Sequence, residues 1–218
     1  QKSKSIGINM DHLYINENTS TSMYCAFMNK DGDMEVAASD MKILDSIPLS
    51  YFDSKKELYE NAEIIIIDAN YSEEKIAYII NLIKDKNIYC DPVSASKAVK
   101  LIPFLKYIHT IKPNRIELEA LTNMPCNTKE EIEKAANRLL MLGTKEVIVS
   151  LGEDGIYYAS NDLKLFKSFK KYPMVNSTGA GDSFFASFIK ARLNNLPIIE
   201  CLEYGLAAGI IAVSCKIG

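Results

Sequence analysis

The chain has 218 residues, 48% of them hydrophobic, with 25 Lys plus Arg against 28 Asp plus Glu for a net charge of −3. That length and apolar content suffice for one sizeable core with a small appendage and exclude an extensively disordered chain. Neither sign of charge forms a long block, which argues against nucleic acid or an anionic membrane as partner and leaves a small molecule as the expected ligand.

Residues 22–28 and 34–37 read as two strands joined across 29–33, where Asp31-Gly32 is a hairpin turn. A polar connection follows through Lys55 and Lys56, after which short apolar runs alternate with longer amphipathic ones. Residues 63–68 hold four consecutive isoleucines, as expected of a strand buried on both faces, and 72–86 form an amphipathic helix with Ser72 as N-cap. Next come a strand at 87–91, a short helix from Ala95 to about Leu101 that Pro103 should end, a strand at 107–111, and a short helix at 114–121 entered through Pro113. Thr128 and Glu131 make a capping box for a helix whose core face is Ile132, Ala135, Ala136, Leu139 and Leu140, stopped at Gly143. Residues 146–151 are a further buried strand, 155–160 and 163–169 are antiparallel strands, and helices at 179–194 and 198–215 close the chain. This βαβα alternation predicts an α/β fold: a mostly parallel sheet with helices on both faces. In such sheets a ligand lies outside the carboxyl ends of the strands, so the chemistry is expected in loops 91–94, 112–115 and 150–155 and in the segment before Asp182.

Five cysteines, Cys25, Cys90, Cys126, Cys201 and Cys215, are odd in number and form no CxxC pair, which points to reduced thiols in a cytosol. His12 and His109 are the only histidines and are expected to be structural. No signal peptide is visible, and the longest apolar stretch, near Gly205 to Cys215, is short of a membrane span, so a soluble cytoplasmic protein is expected. Gln1 opens the chain in place of Met, and Cys215-Lys216-Ile217-Gly218 has no turn or tail composition; the expectation is a portion of a longer protein.

Asn176-Ser177-Thr178-Gly179-Ala180-Gly181-Asp182 places a turn of small residues, a helix start and one carboxylate together. Backbone N–H groups there converge on one concavity, and the helix adds its positive end, so a phosphate would be held. Asp182, beside it, is able to accept the proton of an attacking hydroxyl. The alternative is a structural helix start, with Thr178 or Asp182 as a cap. Asn114 and Glu117, at i and i+3, face the same edge: the amide suits a phosphate oxygen and the carboxylate a magnesium ion held through water, or both simply cap the helix. Ser150, Gly152 and Gly155 would let the backbone approach a nucleotide, or merely form a turn. Asp91 ends a strand at the ligand edge, where it would influence metal or phosphate or else satisfy loop amides, and Lys97 is either a phosphate contact or an ordinary exposed lysine.

Taken in order, these loops resemble the PfkB or ribokinase-like family of carbohydrate and nucleoside kinases. Residues 176–185 match its closing motif, Lys112-Pro113-Asn114-Arg115-Ile116-Glu117 its NxxE element, and residues 149–155 its nucleotide loop. Within the family, Asp91-Pro92-Val93-Ser94 with Lys97 and the Lys-Pro-Asn-Arg form of the NxxE element look most like pseudouridine kinases. The resemblance implies a three-layer αβα fold with a small β lid, and transfer of the γ-phosphoryl group of ATP, with Mg2+, to a primary hydroxyl of a sugar or nucleoside, pseudouridine first among them. It makes Asp182 the catalytic base and the backbone of Gly179, Ala180 and Gly181 the anion hole. Asn114, Ser150, Gly152, Gly155 and Thr178 would line the nucleotide, and Glu117 and Asp91 would serve the metal. The hairpin would be the lid, with Thr21 and Ser22 touching the sugar and its strands pairing two subunits. On this basis residues 1–45 are lid and the remnant of a preceding region, and 46–218 the nucleotide-binding core.

Two departures stand out. The family's first strands, with a glycine-rich substrate motif, have no counterpart before Thr21, and Asn176 replaces an aspartate that in many members supports a monovalent-cation site. The rival readings are the same machinery with another acceptor, such as ribose, fructose or another nucleoside, and a non-catalytic nucleotide-binding fragment, against which Asp182 speaks. A dinucleotide-dependent oxidoreductase would need GxGxxG after a strand, and no strand supplies it.

Overall fold

A computed structural model describes residues 2–28, 34–169 and 179–214. After a single turn of helix, α1 (Lys2–Ser5), an antiparallel ribbon forms from β1 (Met23–Met28) and β2 (Met34–Asp40). β2 runs three residues past the predicted end at Ala37, because Cys25, Tyr24 and Met23 pair with Ala38, Ser39 and Asp40. The predicted turn at 29–33 lies outside the described residues. Met23, Tyr24, Phe27 and Val36 are exposed, so the ribbon stands away from the core.

The connection predicted to be merely polar contains three short helices, α2 (Lys42–Ser46), α3 (Leu49–Asp53) and α4 (Lys56–Asn61). They form because Ile47 and Phe52 bury in the main core and fix the intervening turns. Tyr14 Oη donates to the Ser46 carbonyl (3.1 Å) and Tyr51 Oη to the His12 carbonyl, which ties the first residues of the chain to these helices.

The main sheet follows: β3 (Ile64–Asp68), α5 (Glu73–Ile83), β4 (Asn87–Asp91), α6 (Ala95–Ala98), β5 (Ile108–Ile111), α7 (Arg115–Thr122), α8 (Lys129–Met141), β6 (Glu146–Ser150), β7 (Ile156–Ser160) and β8 (Lys164–Lys167). Strands lie in sequence order, β3 to β6 parallel and β7 and β8 antiparallel. Residues of β6 alternate between two cores, Val147 and Val149 facing one and Ile148 the other, which is the period-2 geometry of a strand covered on both sides. The first core packs α5 (Ile76, Ile80, Ile83), α7 (Leu118) and α8 (Ala135, Leu139) on the sheet. On the opposite face Tyr89, Ile148 and Tyr158 meet α9 (Ala180–Leu193) and α10 (Ile198–Ser214) through Phe184, Phe185, Phe188 and Leu202. Helices on both faces of a mostly parallel sheet make the three-layer α/β arrangement.

Ser72 and Thr128 cap α5 and α8 as expected. Two local expectations fail. The isoleucine strand β3 lies at the sheet edge and is only partly covered on its second side, where Ile64 packs against the α9 and α10 core but Ile66 is left 57% exposed, because those helices sit mainly over the other strands. Pro103 does not end a helix: α6 stops at Ala98 and passes into a 3₁₀ helix, Val99–Tyr107, that contains the proline. The i to i+3 bonding of that helix leaves out one donor at Pro103 without the clash that a proline ring makes in an α-helix.

Candidate active site

The parallel strands end at a common edge. Asp91, last in β4, carries two loads there. Its Oδ2 stands 2.9 Å from Lys112 Nζ, and its Oδ1 accepts the Val93 N–H at 2.9 Å. Ser94 N–H donates to the Pro92 carbonyl (2.8 Å), so Val93 is the centre of a γ-turn with φ 69°. Positive φ at a β-branched residue costs of order 1–3 kcal/mol and persists only where neighbours hold it, here the Asp91 carboxylate. Beside Asp91 in register, Asp68 accepts from both the backbone and side-chain nitrogens of Asn70, whose Oδ1 in turn accepts from Lys97 Nζ at 2.6 Å. Lys97 is therefore tied to this edge and is not an ordinary exposed lysine.

Asn114 and Glu117 form a reciprocal capping box at the start of α7. Glu117 N–H donates to Asn114 Oδ1 (2.9 Å), and Asn114 N–H donates to Glu117 Oε2 (2.8 Å). Glu117 is only 4% exposed, and burial pushes its carboxyl above the ordinary range; the Asn114 backbone bond pulls it back, Asp91 raises it further and Lys112 lowers it. Its Oε1 stands outside the cap. Asn114 bridges to Ser150 at the end of β6, where Ser150 N–H donates to the Pro113 carbonyl (2.9 Å).

After Ser150 the chain makes a 3₁₀ turn, Gly152–Asp154. Gly152 has φ 62°, and a β carbon there would meet nothing within 4 Å, so its face is open to a ligand. Gly155, at φ 95°, is different: its β carbon would overlap the Lys167 carbonyl oxygen, and it is required by the closeness of β8.

Gly179, at φ 80°, is the N-cap of α9 and offers no side chain to its amides, unlike Ser72, Asn114 and Thr128 on α5, α7 and α8. A β carbon on Gly179 would also meet nothing within 4 Å. Among the described residues no side chain caps the end of α9, and the positive pole of the helix lies behind its first amides. Asp182 lies exposed in that first turn and makes no cap bond, against the alternative that it serves only as a cap. Thr178 and Asn176 lie outside the described residues.

Ser150, Gly152, Gly155, Ala180 and Gly181 line one cavity of about 440 Å³, floored by apolar side chains such as Phe184. Its depth depends on α10 approaching α9 closely: a β carbon on Gly209 would stand 3.4 Å from the Ala180 carbonyl oxygen, and one on Gly205 would stand 2.8 Å from the Phe184 ring. A second cavity, about 630 Å³, lies past the 152–154 turn among Arg115, Thr128, Lys129 and Asp154 and contains none of the expected site residues. Thr21 and Ser22 precede β1 and make no hydrogen bond to the cavity among the described residues.

Lys112 was not singled out from sequence. It is 5% exposed, and a β carbon on Gly181 would stand 3.2 Å from its Nζ, so a buried cation lies against the open end of α9. The legible signal was a lysine directly after a buried strand and before Pro113, a place where the ligand edge alone offers partners. His109 stacks on Tyr89 (centroids 5.5 Å apart, 8° between planes) and bonds to the neighbouring Thr110 hydroxyl, and burial lowers its pKa. Burial likewise pushes the Cys90 thiol well up, away from thiolate chemistry. Among the described residues no group of three or more His, Cys, Asp or Glu is placed to hold a metal, and no helix is long and apolar enough to cross a membrane.

Such a site, a glycine-built helix start and a cavity at the strand ends of a three-layer sheet, defines a ribokinase-like α/β kinase. The chain belongs to the pfkB family of carbohydrate kinases, whose model matches residues 1–217. Its class is that of phosphotransferases with an alcohol acceptor. It is 32% identical over 211 residues to the pseudouridine kinase of Escherichia coli K12, covering 96% of this chain and 67% of that one. It is also 26% identical to a ribokinase of Arabidopsis thaliana, covering 96% of this chain and 56% of that one. Among solved structures, one from Clostridium perfringens, provisionally assigned as a sugar kinase, superposes with a TM-score of 0.86 at 36% identity, covering 99% of this chain and 68% of that one. Arabidopsis thaliana ribokinase complexed with ribose and ATP superposes with a TM-score of 0.65 at 28% identity, over 75% of this chain and 54% of that one. The chain thus spans about two thirds or less of the length of these relatives.

Proposed function

We propose that this chain is the nucleotide-binding body of an ATP-dependent kinase that phosphorylates a primary hydroxyl of a nucleoside, with pseudouridine as its acceptor. The observation that carries the reading is the side-chain-free N-terminus of α9 at the rim of the 440 Å³ cavity, with Asp182 in the same turn. ATP extends along Ser150, Gly152 and Gly155, beside Asn114, and its phosphates meet the amides of Gly179, Ala180 and Gly181, with Thr178, next before them in the sequence, as a further contact. Those donors are fixed before the reaction, so they stabilise charge developing on the transferred group without reorganising. Asp182 accepts the proton of the attacking hydroxyl, and being exposed and free of the cap it keeps an oxygen available for that hydrogen bond.

Magnesium, when bound, neutralises phosphate charge. Glu117 would hold it through water, since Oε2 is spent on the cap and Oε1 is not, whereas both Asp91 oxygens are engaged, so Asp91 would influence it only through its charge. The exposed ribbon serves as the lid, with Thr21 and Ser22 on the acceptor and a second subunit's ribbon as its partner. Lid closure excludes the water that competes with the acceptor hydroxyl. The free thiols Cys25, Cys90, Cys126 and Cys201 favour a cytoplasmic enzyme.

The pseudouridine assignment is supported by the identity with the bacterial pseudouridine kinase and by the Asp91 to Lys97 and Lys112 to Glu117 segments. The test is ADP release by the complete gene product with magnesium and ATP, offered pseudouridine, uridine, ribose or fructose 6-phosphate. Pseudouridine-dependent release is the expected result; release with another acceptor alone reassigns the substrate, and release with none removes the reading.

A further inference from the structure

We propose that Lys112 is a phosphate-binding residue that recognises the terminal phosphate of the triphosphate and so distinguishes ATP from ADP; this rests on the kinase reading above. Lys112 as a residue is 5% exposed, and an ammonium at the end of so buried a side chain needs compensating partners. Lys112 has three donors, and among the described residues one acceptor, Asp91 Oδ2 at 2.9 Å, engages them. The Phe185 ring closes another side, its centroid 5.8 Å from Nζ. What remains is the side toward Gly181, where a β carbon would stand 3.2 Å from Nζ. The absence of that β carbon leaves the first turn of α9 and the ammonium adjoining each other, two positive features converging on one point. That arrangement is unfavourable when empty and favourable around a dense anion.

Asp91 makes the placement possible. By accepting from both Lys112 and the Val93 N–H it holds the ammonium at the strand edge and offsets its charge until the anion arrives. The bland alternative is an ion pair that joins β4 to the end of β5 and does nothing else. A structural role would weaken every nucleotide alike; a contact with the terminal phosphate weakens ATP selectively.

The experiment measures calorimetric affinities for ATP and ADP, with magnesium and without acceptor, on the complete protein and on K112M and K112R. Expected are a loss of tenfold or more in the ATP-to-ADP affinity ratio for K112M and retention of most of that ratio in K112R. Equal weakening of both nucleotides in K112M, or no weakening of either, overturns the role of Lys112 while leaving the kinase reading in place. A wild-type protein that binds neither nucleotide overturns the kinase reading and this inference with it. Should K112M not fold, K112Q, which keeps a donor for Asp91, is held to the same ratio.

Discussion

The carbonyl oxygen of Lys167 occupies the place that a side chain on Gly155 would take. Gly155 therefore serves the junction of β7 and β8, while Gly152, three residues earlier, faces open space beside the same cavity. Two glycines of one loop thus answer to different constraints, one to packing and one to ligand approach.

Alanine substitutions separate them. In Gly155→Ala the positive φ and the overlap with backbone act together, and a loss of roughly 3 kcal/mol or more is expected, seen as a large drop in thermal midpoint or as failure to accumulate. Gly152→Ala meets only the left-handed backbone penalty, about 1–2 kcal/mol, and should fold. Its deficit should appear as weaker ATP binding, because the new methyl group points into open space on the cavity side. Comparable stability of the two variants would contradict the assignment of Gly155 to packing.

Asp182→Asn should leave nucleotide binding and thermal stability close to wild type, since the carboxylate is exposed and makes no cap bond. Turnover should fall by about 10²-fold or more, the usual scale for a lost general base. Single-turnover rates on the complete protein test this, and near-normal turnover would remove Asp182 from the chemistry.

Glu117 links stability to pH in the sense opposite to that of a typical carboxylate. Burial raises its pKa above the ordinary 4.5, so the folded state binds its proton more tightly than the unfolded state. Its contribution is fully present below the ordinary value and is lost as pH rises through the higher folded-state value. Glu117→Gln, which can still accept the Asn114 N–H, should therefore be more stable than wild type at pH 7 to 8, with the gap narrowing toward pH 4. The same variant should need more magnesium for turnover. Paired thermal melts across that pH range and a magnesium titration check both halves, and an unchanged magnesium requirement would take Glu117 out of the metal site.

Much of this was legible because its causes are local. Ser72, Asn114 and Thr128 cap their helices through amides three residues away, so the caps can be read from a short segment. The glycine turn with Asp182 is likewise contiguous, and the periodicity of α8 assigned its core face. Asn114 and Glu117 were seen as a pair, yet sequence left open whether they cap the helix or face a ligand; the structure supplies the cap and leaves Glu117 Oε1 outside it.

What depends on distant neighbours stayed hidden. Three short helices in the 42–61 segment form because Ile47 and Phe52 find a core built largely by later residues. Ile66 looked buried, since a run of isoleucines does not reveal that its strand ends up at a sheet edge.

By itself the sequence determined the alternation of strands and helices in the main sheet, the caps at Ser72 and Thr128 and the glycine-lined turn that carries Asp182, all consequences of backbone preference and hydrogen bonding over a few residues. Only the tertiary structure decided that Lys112 is a buried cation between Asp91 and Gly181, and that Gly155 belongs to the sheet. The physical reason is that burial, charge compensation and steric exclusion belong to whichever segments the fold brings together, here β4, β5 and α9 for the lysine and β7 and β8 for the glycine.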